Sequence, residues 1–130
     1  MSPRKKSSQK TLLKLTWRAL ADLRAIERYS VKEWGRRTAN DYLVDIAAAL
    51  DRLSEDSAIL RLEPDFSPGL YFYRVKKHVL VCDYQGDTVI VLTLIHTSMD
   101  VPTRLLELEP RLVAESQMLQ ARLHRKSGGC

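Results

Sequence analysis

The run Val89-Ile90-Val91-Leu92-Thr93-Leu94-Ile95 constrains the fold more than any other stretch, because it is apolar at odd and even positions alike. A strand sends alternate side chains to opposite faces of its sheet, so apolar residues on both parities call for cover above and below. Such a strand is central in its sheet. Upstream, residues 70–76 and 79–84 flank the polar turn Lys76-Lys77-His78, and Gln85-Gly86-Asp87 separates the second run from a third that starts at Thr88. Short apolar runs divided by turn residues predict three consecutive antiparallel strands.

The N-terminal half supplies the cover. Residues 11–17 carry Leu13, Leu15 and Trp17 against Lys14 and Thr16 on the other parity, with Leu12 beside them, the pattern of a strand with one buried face. From Arg18 the period becomes helical: Ala19, Leu23, Ile26 and Ser30 form a stripe widened by Leu20, with Asp22, Arg24, Glu27 and Arg28 opposite. Gly35 after Trp34 ends this helix. A second helix follows at once, marked by Ala39, Tyr42, Leu43, Ile46, Ala49, Leu50 and Leu53. So short a joint makes the pair an antiparallel hairpin. Pro64, Pro68 and Gly69 mark residues 54–69 as a loop.

The expected fold class is therefore α+β: an antiparallel sheet with an N-terminal strand and a helical hairpin packed on one face, in the order β-α-α-β-β-β. A helical pattern returns after Pro102 with Leu105, Leu106, Leu108, Leu112, Val113, Met118, Leu119 and Leu123. Pro110 falls inside it, which predicts two helical pieces or one kinked helix. The chain divides into a basic arm at 1–10, a folded domain at 11–104 and a helical extension with a flexible tail at 105–130.

At 130 residues the chain fits one domain. No apolar run approaches the roughly 20 residues of a membrane span, and the basic N-terminus is not followed by a signal-peptide core, so a cytoplasmic location is expected. Cys82 and Cys130 have neither metal-ligand spacing nor secretory context and are expected to be free thiols. The net charge of +5 sits in the tails: between residues 11 and 123 there are 15 basic and 16 acidic residues. A body of net charge −1 lacks the broad positive surface that grips a phosphate backbone.

The order of elements, together with particular residues, resembles the ParE branch of the ParE/RelE toxins of type II toxin-antitoxin systems. The similarity is carried by Ala21-Asp22-Leu23, Ile26 and Tyr29 ahead of Trp34-Gly35, and by Ala39, Tyr42 and Ile46 in the second helix. It continues through Gly69-Leu70, Arg74, His78, Val81 and Tyr84 along the strands, then residues 91–96, Met99-Asp100 and Arg104. The resemblance implies a toxin held inactive by a cognate ParD-like antitoxin, with DNA gyrase as target and operator DNA reached only through the antitoxin. The RelE-like branch instead cleaves messenger RNA on the ribosome, and a non-toxic binding module of the same fold is a third possibility. Fold alone does not choose among them.

Cleavage of RNA by its own 2′-hydroxyl needs a base, an acid and cations around the phosphorane. His96, Arg74 and Arg61 are the candidate catalytic set, with Lys76, Lys77 and Arg104 as further cations. The default for His96 is a strand-end residue bonded to a neighbour such as Asp100. The neutral body and the lack of a late arginine-lysine-tyrosine cluster favour a protein-binding toxin over a nuclease. Tyr71, Tyr73, Arg74, His96, Asp100, Arg104, Met118 and Leu119 are the candidate target- or partner-binding residues. Trp34 and Tyr42 are expected to seal the hairpin onto the sheet. Leu105, Leu108 and Leu112 are expected to dock on the chain's own body, leaving Met118 to Leu123 for a partner. The His and Cys spacings support no metal site, and no cofactor motif is present.

Overall fold

The computed structural model describes residues 12–128, with side chains described through Leu123. The basic arm, His124, Cys130 and most of the final tail lie outside the described residues. Strand β1 (Leu12–Leu15) leads into helices α1 (Trp17–Trp34) and α2 (Arg36–Glu55). A short 3-10 turn (Ser57–Ile59) and β2 (Arg61–Leu62) precede β3 (Tyr71–Val75), β4 (His78–Gln85), β5 (Thr88–His96) and the long helix α3 (Val101–Gly128). The sheet order is β1-β5-β4-β3-β2, so β5 has a strand on either side.

Strands β3 to β5 pair antiparallel as the turn pattern predicts and β2 joins them antiparallel, whereas β1 pairs parallel with β5, Leu12 opposite Thr88 and Leu15 opposite Val91. The sheet is thus mixed. The parallel pairing follows from connectivity: a chain that leaves β1 through a helical hairpin covering one face can return along the same direction. The two-residue β2 emerges from the region expected to be loop, adding a short edge strand against Phe72 and Tyr71.

Helix α1 begins where Thr16 accepts a hydrogen bond from the Ala19 N–H at 3.1 Å and donates its own to the Leu92 carbonyl at 2.9 Å. One hydroxyl therefore caps the helix and pins it to the central strand. Gly35, at φ +90°, ends α1 with its N–H on the Val31 carbonyl. Fully buried Ala19, Ala39 and Ala49 leave the helices no bulk at these contacts. Ala19 and Ala49, together with Ile26, Ile46 and Leu53, cover one sheet face, meeting Val75, Leu80, Cys82, Val89, Val91 and Leu94.

The other face is also closed. Leu105, Leu108 and Leu112 of α3 pack on Leu70, Phe72, Val79, Val81, Ile90, Leu92 and Ile95. Their docking on the chain's own body was expected from the helical spacing; each buried leucine contributes about 1.5–3 kcal/mol. The expected break at Pro110 does not divide the helix, and α3 runs through it as one element. Pro110 and Leu106 are both solvent-exposed, so water can serve the Leu106 carbonyl that the proline nitrogen leaves without a donor. Among the described residues no helix is long and apolar enough to cross a membrane.

Candidate functional site

His78 opens β4 and His96 closes β5, and the strand register sets them directly opposite each other. Both lie on the hairpin face, beside Leu80 and Leu94, where α2 brings Tyr42 over them. The Tyr42 hydroxyl accepts the Lys77 backbone N–H at 3.1 Å and contacts His78 Nδ1 at 2.6 Å. His96 Nδ1 accepts the Ser98 backbone N–H at 3.0 Å. The His96 ring, accepting at Nδ1, carries its proton at Nε2, and neither Nε2 has a hydrogen-bond partner among the described residues.

The two imidazoles meet edge to face with centroids 5.0 Å apart. Burial, and secondarily the charge of His96, lowers the His78 pKa to about 4, so this ring is neutral at physiological pH. Burial likewise raises the Tyr42 pKa. The Lys76-Lys77 turn above them holds Lys76 at φ +54°, an uncommon conformation for a residue with a side chain. The Lys76 ammonium pairs with Asp45 of α2 at 3.5 Å.

Around this cluster runs a groove of about 410 Å³ lined by Ala25, Ile26, Tyr29, Ser30, Trp34, Tyr42, Lys77, His78, His96, Ser98 and Met99. Tyr29 and Trp34 form a T-shaped pair at 5.7 Å. Their exposure is 56% and 52%, and that of Met99 is 48%, so an aromatic and thioether wall faces solvent. Trp34 was expected to seal the hairpin onto the sheet; it instead stands outside the core at the last residue of α1. Tyr42, half-buried, does join hairpin to sheet. Its importance to the site had no sequence signal, since its partner His78 lies 36 positions away.

The residues proposed for RNA cleavage are not brought together. Arg61 pairs with Phe72 and Arg74 with Val79, both core residues of the α3 face, whereas His96 lies on the hairpin face with strand β4 between it and β3. His96 makes no bond to Asp100. Asp100 instead begins α3, accepting from the Thr103 hydroxyl at 2.9 Å, while Arg104 pairs with Glu107 at 3.3 Å. Tyr71 and Tyr73 pack against the hairpin-side core, and the Tyr73 hydroxyl accepts from Arg52 at 3.2 Å.

A second groove, about 630 Å³, lies between the start of α1 and the outer half of α3. Met118 is 62% exposed along it and Trp17 74%, whereas Leu119 is partly buried against the α3-side core. Its floor is polar and fully bonded: Arg18 holds Glu115 through two 2.8 Å hydrogen bonds, and Asp22 accepts from the Thr93 hydroxyl and the Leu94 N–H. Hydrogen bonding with Glu115 raises the Arg18 pKa. Cys82 is buried as a free thiol whose pKa burial pushes up, an inert core residue. No group of three or more metal-ligating side chains occurs among the described residues.

Comparison with known proteins now adds the lineage. The family described as ParE toxin of type II toxin-antitoxin system, parDE, matches residues 13–101. The chain is 32% identical over 92 residues to Toxin ParE of Escherichia coli, a match spanning 70% of this chain and 89% of that protein. A solved structure of the chromosomal ParDE system from P. aeruginosa superposes with a TM-score of 0.60 at 22% identity, covering 68% of this chain and 97% of its counterpart. The structural likeness supports the fold, and the sequence match over most of the domain settles the lineage: this chain belongs to the ParE toxin family of type II toxin-antitoxin systems.

Proposed function

We propose that this chain is a protein-binding toxin that inhibits DNA gyrase in the cytoplasm and is neutralised by a cognate ParD-like antitoxin, through which alone it reaches operator DNA. Family membership supports the toxin role, and the gyrase target rests on the resemblance to the ParE branch. The observation that carries protein binding over RNA cleavage is the division of the candidate nuclease residues between the two sheet faces. The His96 tautomer adds to it, because an imidazole protonated at Nε2 and bonded at Nδ1 has no free lone pair to act as a base.

Expression of the full chain without its antitoxin tests the reading. Growth arrest with DNA damage, and loss of supercoiling by purified gyrase on addition of the protein, is the expected result. Arrest with cleaved messenger RNA and intact DNA would establish the ribosome-dependent endonuclease instead. Healthy cells with soluble protein would make the chain a non-toxic binding module.

A further inference from the structure

We infer that the groove walled by Tyr29, Trp34 and Met99 is a docking slot for a segment of the protein partner that sets carboxylates beside one large apolar side chain. The inference rests on the antitoxin-bound reading above and deepens it by assigning the surface and its chemistry. Three large, partly exposed side chains line one concavity, the composition of an interface anchor site and not of ordinary solvated surface.

The polar lining is complementary to an acid. Among the described residues no carboxylate lines the groove. His96 offers its Nε2–H and His78 an unbonded Nε2, and the Lys77 ammonium has no ion-pair partner among the described residues. A surface of donors with one cation, on a body whose charge is close to neutral, selects carboxylates locally and not by long-range attraction. A nucleic-acid strand could stack on Trp34, but it needs a track of cations along its backbone, and Lys77 is the one cation lining the groove. A protein segment is the occupant that fits.

The test uses the full chain and its cognate antitoxin, identified as a short protein that co-purifies with the chain when the two are co-expressed from the native locus. Trp34→Glu and Met99→Glu replace exposed side chains, so circular dichroism should remain that of the parent, while antitoxin affinity falls about tenfold or more. Leu62→Glu, on the exposed edge strand, is the matched control and should bind as the parent does. A photo-crosslinking residue at position 34 should capture an antitoxin peptide containing Asp or Glu next to an aromatic or long aliphatic residue. Unchanged affinity in both groove variants, or a crosslink to RNA or to a peptide without acids, overturns the slot. Failure of the parent chain to bind the antitoxin at all would instead overturn the antitoxin reading on which it rests.

Discussion

The two faces of the sheet are closed by different means. On the hairpin face, two helices approach closely through alanines, and the polar ties run from α1 into the central strand, Thr16 to Leu92 and Asp22 to Thr93 and Leu94. On the opposite face a single helix lays down leucines, and its ties come from its outer half: Asp83 accepts from Ser116 at 2.9 Å and from Gln120 at 3.2 Å. The first cover lies within the family match, whereas α3 begins where that match ends. The shared body alone would leave Phe72, Val81, Ile90 and Leu92 without cover on that side. The difference teaches that α3 completes this chain's own core, while the groove on the hairpin face stays exposed to solvent.

The sharpest way to break this comparison is to remove α3. A chain ending at residue 100 should aggregate or bind a hydrophobic dye when expressed alone, because the whole apolar α3 face is exposed; a monomeric, cooperatively melting product would show that α3 is not part of the core. The shorter deletion of 114–130 spares Leu105, Leu108 and Leu112, so the fold should survive while complex formation weakens.

Point substitutions place the two faces on one scale. Leu112→Ala and Leu53→Ala each remove a fully buried leucine and should each cost about 2–5 kcal/mol by denaturant unfolding. A cost for Leu112→Ala well below that for Leu53→Ala would mean that α3 docks loosely. Asp22→Ala leaves the Leu94 N–H without its acceptor and should cost about 1–3 kcal/mol.

The hairpin face should also carry a pH dependence. The folded pKa of His78, about 4, lies below its ordinary 6.5, so the unfolded chain binds the proton more readily. Its contribution is fully present above pH 6.5 and is lost as pH falls toward 4. His78→Gln should flatten the denaturation midpoint across that window; an unchanged slope would remove His78 as its source. The smallest effect belongs to Arg18→Ala, since its pair with Glu115 is partly solvated and is worth about 1 kcal/mol or less.

Much of the fold was legible from periodicity. The two-parity run at 89–95 identified the central strand, the helical stripes identified the hairpin, and Leu105, Leu108 and Leu112 identified the docking face of α3, because burial of apolar side chains is written directly into spacing. The family resemblance was legible for the same reason, carried by residues that build this body. The groove was not. Trp34 and Tyr42 read alike as hairpin sealants, yet the first faces solvent and the second hydrogen-bonds a histidine of the sheet. Nor could the sequence divide Arg61 and Arg74 from His96, since Arg74 and His96 read as single polar residues at strand positions and Arg61 fell in the expected loop. What the sequence by itself determined is which residues must leave water; which polar and aromatic groups then meet was decided by strand register and helix placement, contacts between distant positions that no local pattern encodes.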